Sequence, residues 1–475
     1  MRLSSFKVSV QKHFDAIALS RRTWKQKNRY YHASQEKYLR FLIPPGKKVL
    51  ELGCGTGELL NAVEPAYGVG IDISSAMIQQ AADAFPHLTF IHADGENAQA
   101  WDIAERFDFI VISDTLGLLE DIQATLEGLH PFCDTATRVI IGYYNFMWEP
   151  ILKLAEMLGL KMPQPEQNWL SADDIENLLD LSGFETVKRV QRLLLPVKLP
   201  VLSNISDYLE PLPFINKLCL CNYLVARPFG KITVTDALSV SVVIPCRNER
   251  GNIEAAVNRI PKMGKHTEII FVDGHSEDGT SEEIRRVIAA HPDKDIKFFV
   301  QDKIGKGDAV RKGFKKASGD ILMILDADLT VAPEDLPKFY DAVASEKGEL
   351  INGCRLVYPL EEQAMRLLNM LGNKFFSLAF TWLLNQRIKD TLCGTKVLSR
   401  ENYFHIMENR SFFGEFDPFG DFDLLFGASK LNFKIIEIPI RYRSRVYGET
   451  QISRFRHGWL LLKMAFFAFK KFKVM

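Results

Sequence analysis

The chain of 475 residues is long enough for two or three domains, and its composition, 47% hydrophobic and 25% charged, is typical of globular proteins. Its formal net charge of zero gives no general attraction to nucleic acid, so we expect no nucleic-acid partner. Seven cysteines without a CxxC pair indicate free thiols in a reducing compartment. The N-terminus lacks a continuous apolar stretch and no apolar run reaches about 18 residues, so we expect neither a signal peptide nor a classical membrane span.

Strand-like apolar runs alternate with helical patterns twice along the chain. The first series begins at residue 48 and reaches about residue 187, and the second runs from 240 to about 440. Between them, five prolines interrupt the periodicity of residues 195–236, which predicts a boundary near residue 230. We predict two α/β domains with mainly parallel sheets, one in residues 1–230 and one in 236–475.

The first predicted strand runs into a glycine-rich loop. Glycines at alternate positions let the backbone turn tightly and let a ligand lie against it. These are Gly53, Gly55 and Gly57. The G-x-G-x-G spacing differs from the dinucleotide-binding G-x-G-x-x-G. A second strand ends in Asp72, where an acid can accept hydrogen bonds from a ribose diol, and a third ends in Asp94.

Over roughly residues 25–190, this arrangement resembles the Rossmann-like class I S-adenosylmethionine-dependent methyltransferases. The resemblance implies S-adenosylmethionine as cofactor, with its methionine and ribose portions at the glycine loop, its ribose hydroxyls on Asp72 and its adenine near Asp94. Glu51, at the strand end, would help to order the loop. No tetrad or aromatic–proline motif identifies the methyl acceptor, and a degenerate, regulatory domain stays an alternative.

The second series begins with a strand that closes on Pro245, followed by a polar loop with Asn248 and Glu249. The next strand ends in Asp273, which is placed to receive hydrogen bonds from a uracil or a ribose. Residues 278–281 follow as a turn and helix cap. Ligands bind outside the carboxyl ends of the strands in open α/β sheets, so these loops predict a binding crevice.

Asp326 and Asp328 follow a short buried strand, and a Gly-Lys-Gly loop ahead of that strand carries Lys306. Ionised carboxylates are costly to bury unpaired. Mg²⁺ and Mn²⁺ commonly bind through one or two carboxylates together with substrate phosphates. We therefore predict a nucleotide sugar held through a divalent metal on Asp328, with Asp326 shared between the metal and a ribose.

The order Pro-x-x-Asn-Glu, Asp-Gly-x-Ser-x-Asp-Gly-Thr, Gly-Lys-Gly and Asp-Ala-Asp resembles family 2 glycosyltransferases of the GT-A fold, over about residues 236–465. Within this family, the chain looks most like the polyprenol-phosphate sugar transferases, of which the dolichol-phosphate mannosyltransferases are the best-known group. The segments that carry this closer resemblance are residues 353–355, 389–396 and 445–450. Gly274 stands where the family often has a second acid, and Thr330 where some members carry a metal-binding glutamine. The sequence does not choose between UDP-linked and GDP-linked donors.

The leaving nucleoside diphosphate must be neutralised, for which we predict the cations Arg355, Lys396 and Arg445. A strand over 437–445 would place residues 441, 443 and 445, all arginines, on one face. A lipid phosphate needs no strong base, since its second pKa near ~6 leaves it largely dianionic at neutral pH. A hydroxyl acceptor would need a carboxylate, for which Asp421 and Asp423 are candidates; the resemblance puts Asp423 at an acidic site position.

From residue 441 to residue 473 the chain carries nine lysines or arginines and one acid. The apolar body of this segment, Trp459–Leu462 and Met464–Phe469, has the cationic flanks of a helix that lies in a membrane interface. A terminal helix docked on its own domain is the alternative, and Phe375–Leu384 would form a second apolar surface. We predict a cytoplasmic protein attached peripherally to the inner face of the membrane.

Together these patterns predict a bifunctional transferase. The second domain would be inverting and metal-dependent and would move a sugar from a nucleotide sugar to polyprenyl phosphate. The first domain would transfer methyl groups from S-adenosylmethionine. Two alternatives stay open: a glycosyltransferase that extends a polysaccharide from a hydroxyl acceptor, and a scaffold whose first domain only senses S-adenosylmethionine.

Overall fold

The computed structural model describes residues 4–198, 202–229, 237–355, 367–412, 422–440 and 454–474, and from the segment before 454 also Arg443, Arg445 and Tyr447. These residues form two compact units, one within residues 1–229 and the other within 230–472. All seven cysteines are free and buried, as the sequence predicted.

The first unit is a seven-stranded sheet with helices around it. Its strands are β1 (Lys48–Leu52), β2 (Tyr67–Asp72), β3 (Thr89–His92), β4 (Phe109–Ser113), β5 (Arg138–Tyr144), β6 (Phe184–Arg192) and β7 (Cys221–Pro228). Its helices are α1 (Ser5–Lys27), α2 (Arg29–Leu42), α3 (Glu58–Ala62), α4 (Ser75–Ala84), α5 (Ile122–Glu127), α6 (Glu149–Met157), α7 (Ala172–Leu181) and α8 (Leu202–Leu209).

The strand order is β3-β2-β1-β4-β5-β7-β6, and every pair is parallel except those of β7. The apolar side chains of β1 alternate between two cores, Leu50 and Leu52 on one face and Val49 on the other, as in a sheet covered on both sides. The strand order reverses between β1 and β4, and such a reversal is where ligands bind in open α/β sheets.

The proline-containing stretch before residue 230 is more ordered than its sequence suggests. It carries α8 and the strand β7, which pairs antiparallel with β5 on one side and β6 on the other. Every residue of β7 is buried, so the strand lacks the apolar–polar alternation that would have revealed it.

The second unit is also a seven-stranded sheet. Its strands are β8 (Ser239–Cys246), β9 (His266–Asp273), β10 (Asp295–Val300), β11 (Ile321–Ile324), β12 (Leu350–Cys354), β13 (Lys396–Ser399) and β14 (Ile435–Pro439). Its helices are α9 (Ile253–Arg259), α10 (Thr280–Ala290), α11 (Lys306–Lys316), α12 (Leu336–Ala344), α13 (Leu367–Leu384), α14 (Arg400–Glu408), α15 (Phe422–Lys430) and α16 (Arg454–Phe472).

The order in this sheet is β10-β9-β8-β11-β13-β12-β14, and β13 is antiparallel to both of its neighbours. Two α/β domains with mainly parallel sheets are therefore confirmed, each with one antiparallel strand inserted. The last strand, β14, ends at Pro439, so Arg443 and Arg445 follow the strand instead of alternating along it. Arg441 lies outside the described residues.

The two long apolar segments of the second unit form helices that pack together. The rings of Trp382 on α13 and Phe469 on α16 stack with centroids 5.7 Å apart. One face of α16 is buried, with Met464 and Ala468 fully enclosed, as the docked-helix alternative expects. Among the described residues, no helix is long and apolar enough to span a bilayer.

Candidate functional sites

In the first unit, the glycine loop leaves β1 in left-handed conformations that other residues rarely adopt. Gly53, Gly55 and Gly57 have φ values of 73°, 52° and 77°. A Cβ on Gly53 would overlap the side chain of Thr115, just after β4. The loop therefore packs directly against the carboxyl end of the neighbouring strand, and only glycine fits that approach.

Asp72, at the end of β2, holds this loop in place. Its half-buried carboxylate accepts hydrogen bonds from the Gly55 backbone N–H at 2.8 Å and the Ser74 backbone N–H at 2.9 Å. Burial raises the pKa of Asp72, although these two bonds oppose the rise. Asp94 lies after β3 and forms an ion pair with Lys7 of α1 at 2.8 Å.

The loops after β1, β2, β3 and β4 share one cavity of about 410 Å³ with α1 and α2. Of the residues that the sequence assigned to a cofactor, Gly53, Gly55, Asp72 and Asp94 line it. Pockets of this size, mainly apolar with a few placed polar groups, are the usual form of cofactor sites.

Glu51 is not among the lining residues; it is 3% exposed. Its Oε2 atom has no hydrogen-bond partner among the described residues. Burial, opposed by Lys25 and reinforced by the charges of Glu58 and Asp72, raises the pKa of Glu51 to about 8. The folded protein therefore holds Glu51 mostly protonated at neutral pH.

Glu51→Gln should make the protein more stable at pH 8 and leave its stability near pH 5 unchanged. The folded pKa of about 8 exceeds the ordinary value of 4.5, so the wild type loses stability as pH rises through this window. A neutral amide removes that loss, for a gain of a few degrees in Tm at pH 8. Thermal unfolding from pH 5 to pH 8, with the exposed Glu105→Gln as control, measures this; parallel curves for wild type and Glu51→Gln would contradict it.

Asp114, the acid that ends the fourth predicted strand, belongs to a polar cluster in the same cavity whose other members the sequence did not reveal. The Tyr31 hydroxyl and the Gln35 side-chain amide, on α2, donate hydrogen bonds of 2.7 Å and 2.8 Å to Oδ2 of Asp114, just after β4. The i, i+4 spacing of Tyr31 and Gln35 places both on one helix face, which is the only signal for them in the sequence.

In the second unit, the predicted polar loops follow β8, β9 and β11, three neighbouring strands of the sheet. Strand β8 continues one residue past Pro245 to Cys246, and Asn248 follows with its side-chain oxygen accepting from the Glu277 N–H at 2.9 Å. Asp273 is 2% exposed and accepts from the Ser281 hydroxyl at 2.8 Å. Asn248 and Asp273, which are both predicted to bind the nucleotide sugar, therefore also hold the loops around them in place.

Asp326 is surrounded by cations. Lys306 at the start of α11 forms an ion pair with it at 2.5 Å. Burial alone would raise the pKa of Asp326, but Lys306, then Lys396 and Arg355, outweigh that effect and lower it. A Cβ on Gly394 would overlap both the Asp326 carboxylate and the Lys306 ammonium, so the loop before β13 lies directly on this pair.

Asp328 is held by Thr330 and Arg445. The Thr330 hydroxyl donates to Oδ1 at 2.8 Å, and the Arg445 guanidinium contacts Oδ2 at 2.8 Å. The same guanidinium reaches Glu249 at 3.1 Å, so one cation bridges two predicted site acids. Arg443 adds a backbone bond to the Thr330 carbonyl at 2.9 Å.

The other two predicted cations, Arg355 and Lys396, form contacts with other groups of the chain. Arg355 makes a bidentate pair with Asp390 at 2.7 Å and 2.8 Å, and the buried Lys396 ammonium donates to the Cys393 carbonyl at 2.7 Å. They act on Asp326 through their charge, since both lower its pKa.

Asp423, in the first turn of α15, pairs with Arg410 at 2.9 Å and with Arg311 at 3.6 Å. Arg311 lies on α11, the helix whose first residue, Lys306, pairs with Asp326. The alternative base, Asp421, lies outside the described residues, as do residues 446 and 448–450 of the predicted 445–450 segment.

The described residues contain no group of three or more His, Cys, Asp or Glu side chains that could hold a metal ion. Asp326 and Asp328 nevertheless fit the one or two carboxylates with which Mg²⁺ binds when substrate phosphates complete its shell. Both carboxylates now contact cations, Lys306 and Arg445, which indicates how strongly this point attracts positive charge.

Gly394→Ala should reduce the activity of this site at least tenfold, because the new Cβ must separate Lys306 from Asp326 or push the loop away. Gly458→Ala is the matched control: a Cβ there meets nothing among the described residues, and alanine favours the helix. Transfer rates and Tm of both variants measure the effect. Equal rates in the two variants would show that the contact does not matter.

Each unit matches a known family model. Residues 24–189 match the family model of a methyltransferase domain, and residues 241–408 match glycosyl transferase family 2. The dolichol-phosphate mannosyltransferase of Pyrococcus furiosus is 30% identical over 237 residues, which cover 48% of this chain and 64% of that protein. The undecaprenyl-phosphate 4-deoxy-4-formamido-L-arabinose transferase of Aeromonas hydrophila is 35% identical over 112 residues, covering 23% and 34%.

Among solved structures, an S-adenosylmethionine-dependent methyltransferase from Thermotoga maritima, described as a possible histamine N-methyltransferase, aligns with a TM-score of 0.36 at 16% identity. The alignment covers 46% of this chain and 99% of that one. The chain spans between about a third and two thirds of the length of the curated relatives it matches.

Proposed function

We propose that this chain, which joins a methyltransferase domain to a glycosyltransferase family 2 domain, transfers a sugar from a nucleotide sugar to a polyprenyl phosphate and also transfers methyl groups from S-adenosylmethionine. The observation that carries the first activity is the acid pair Asp326 and Asp328, held between Lys306 and Arg445 at the carboxyl ends of the strands. The named activities of the relatives support the choice of acceptor.

The sugar transfer joins an oxygen of the acceptor phosphate to the anomeric carbon and breaks the bond from that carbon to the nucleoside diphosphate. Negative charge then collects on the leaving diphosphate, and preorganised cations are the usual means of stabilising it. Lys306 and Arg445 are the cations in direct contact with the acid pair. A divalent metal held by Asp328 and Asp326 would supply further positive charge to the diphosphate.

A phosphate acceptor also fits the ion pairs of Asp423, the one of the two predicted bases that the structure describes. A hydroxyl acceptor would need a base to take its proton, and Asp423 is already paired with Arg410 and Arg311. A phosphate with its second pKa near ~6 has little proton to give up at neutral pH. The ion pairs of Asp423 therefore favour the lipid phosphate over the polysaccharide alternative.

The acceptor is tested by comparing polyprenyl phosphate with the polyprenol that lacks the phosphate. Each acceptor is incubated with the protein, Mg²⁺ and a panel of labelled UDP- and GDP-sugars. The mass of the lipid product is then determined by mass spectrometry. We expect one sugar residue added to polyprenyl phosphate and none to polyprenol. Transfer to polyprenol at a similar rate would refute it.

For the methyl transfer, the cavity of the first unit offers the groups that S-adenosylmethionine needs. Asp72 has carboxylate lone pairs beyond the two bonds to Gly55 and Ser74 and could receive ribose hydroxyls. The glycine loop admits the cofactor close to the backbone. The cofactor would supply an activated methyl group there.

We also propose that the glycosyltransferase domain binds a membrane surface through α16. Trp459 and Phe466 lie on this helix and are 61% and 60% exposed. Lys463 and Lys470 lie over their rings, at 5.8 Å and 4.7 Å from the ring centroids. Exposed aromatic side chains next to lysines suit the boundary between acyl chains and anionic head groups.

Trp459→Ser combined with Phe466→Ser should weaken binding to vesicles containing anionic phospholipid at least tenfold, since each aromatic ring buries enough surface for about 1.5–3 kcal/mol. Co-sedimentation measures this. Phe404→Ser, on α14 and 46% exposed, serves as the control for loss of an exposed ring. Equal binding by the double variant and the control would remove α16 from the membrane contact.

A further inference from the structure

We propose that the methyltransferase domain carries a methyl-acceptor subsite built on Asp114, and that this subsite takes a hydroxyl group on a molecule with an apolar body. The inference rests on the methyl transfer proposed above and names its acceptor class. The Asp114 carboxylate lines the cofactor cavity, and only one of its two oxygens has a hydrogen-bond partner among the described residues.

Asp114 lies in the cavity next to the glycine loop. It comes directly after β4, and its neighbour Thr115 packs against Gly53 of the glycine loop. The strands lie in the order β2-β1-β4, so Asp72 and Asp114 flank the glycine loop from opposite sides. A cofactor whose ribose lies on Asp72 would hold its sulfonium methyl, which is next to the ribose, over the loop between the two acids.

Hydrogen bonds hold one oxygen of the Asp114 carboxylate in place, and the other oxygen accepts none within the described part of the chain. Oδ2 accepts from the Tyr31 hydroxyl at 2.7 Å and from the Gln35 amide at 2.8 Å. Oδ1 is buried and has no hydrogen-bond partner among the described residues. The backbone φ of 54° is strained for a side-chain-bearing residue, and such strain clusters at functional sites. A ligand hydroxyl donating to Oδ1 would satisfy it.

Asp114 is also better suited to take a proton than the nearby His32. Burial, together with Lys25 and Arg21, lowers the pKa of His32 to about 3, so its imidazole is almost non-basic. Burial raises the pKa of Asp114, against the hydrogen bonds of Tyr31 and Gln35 and the charges of Arg21 and Lys161. General bases work best when their pKa approaches the working pH.

The charge of the cofactor favours a hydroxyl over a protonated amine. Of the five basic side chains that line the cavity, three are paired with acids: Lys7 with Asp94, Lys25 with Glu58 and Lys161 with Glu156. The sulfonium of S-adenosylmethionine would bring a further positive charge next to the acceptor. It would repel an ammonium group, whereas a hydroxyl carries no charge to repel.

The remaining wall of the cavity next to the polar cluster is apolar. Leu152 of α6 lines it together with Leu160, Met162 and Leu220, and the Tyr144 ring lies 5.6 Å from that of Tyr31. A hydroxyl on a fully polar molecule would leave these side chains without a contact. An acceptor with an apolar portion would bury them.

The acceptor oxygen attacks the methyl carbon and forms the C–O bond, and the methyl–sulfur bond breaks with its electron pair going to sulfur. This gives S-adenosylhomocysteine, and the hydroxyl proton passes to Oδ1 of Asp114. Tyr31 and Gln35 are positioning residues, because they act on the acceptor only through Asp114.

The test uses the full chain with n-octyl glycosides as hydroxyl probes and n-octylamine as amine probe. Calorimetry measures probe binding with S-adenosylhomocysteine present, and tritiated S-adenosylmethionine measures methyl transfer. The variant is Asp114→Asn, because asparagine tolerates the positive φ. Tyr31 and Gln35 would hold its amide oxygen, which turns the NH₂ group, a donor that cannot take a proton, toward the acceptor.

We expect a glycoside to bind at least tenfold more tightly than octylamine, and its methylation to fall 10²- to 10⁴-fold in Asp114→Asn, the usual contribution of a general base. S-adenosylhomocysteine affinity should change less than about threefold. A preference for the amine, no glycoside binding, or an unchanged rate in Asp114→Asn would overturn the subsite. Failure of the wild type to bind S-adenosylhomocysteine would instead contradict the proposed methyl transfer itself.

Discussion

Asp328→Asn is expected to lower sugar transfer by about 10²- to 10³-fold or more while leaving methyl transfer unchanged. The substitution removes the charge that Arg445 contacts at 2.8 Å and the carboxylate proposed to hold the metal. A metal's stabilisation of a leaving phosphate is worth several kcal/mol, and each ~1.4 kcal/mol is a factor of ten in rate. Initial rates with saturating Mg²⁺, measured for both activities on one preparation, give the comparison.

The control for this variant is Asp320→Asn, which removes an acid beside the amino end of β11. Asp320 bonds to Ser239 and pairs with Lys265 at 3.2 Å. It should keep the wild-type rate. Sugar transfer that survives in Asp328→Asn would remove the metal role. A rate that falls equally in both variants would point to a fold defect instead.

The second large effect is expected for Asp72→Asn, which should weaken S-adenosylhomocysteine binding about 10- to 100-fold. The carboxylate is proposed to accept both ribose hydroxyls, and hydrogen bonds to a charged group contribute about 1.5–3 kcal/mol. It also holds the glycine loop through Gly55. Titration calorimetry measures the affinity, and sugar transfer by the same variant should stay at the wild-type rate.

Asp108→Asn is the matched control for Asp72→Asn. Asp108 bonds the Lys48 backbone N–H at 2.8 Å, at the amino ends of β1 and β4 and so at the opposite edge of the sheet. Its loss should leave cofactor affinity unchanged. An unaltered affinity in Asp72→Asn would take Asp72 out of the cofactor site.

The sequence alone predicted the two α/β domains and the loops at the carboxyl ends of their strands. Each of these signals is local: an apolar strand followed within a few residues by glycines or an acid, as at Gly53 and Asp326. In the structure, Lys306 forms an ion pair with Asp326, although a helix and a strand separate them in sequence. The chemistry of the residue types had already required a cation near that acid.

The rest depends on contacts that sequence spacing does not encode. Arg445 meets Glu249 although 196 residues separate them, and no local pattern marks that pairing. Arg355 looked like a free cation but is bound by Asp390. The Asp114 cluster was missed for the same reason, since Tyr31 and Gln35 belong to a helix more than 70 residues upstream.

The central claim, that the sugar goes to a lipid phosphate, is tested most directly by following the label. The full chain is incubated with membranes, Mg²⁺ and radiolabelled nucleotide sugar, and the mixture is extracted into organic solvent. Our account predicts that label enters the organic phase with the wild type and stays out of it with Asp328→Asn. Label that remains in the water phase while donor is consumed would contradict it.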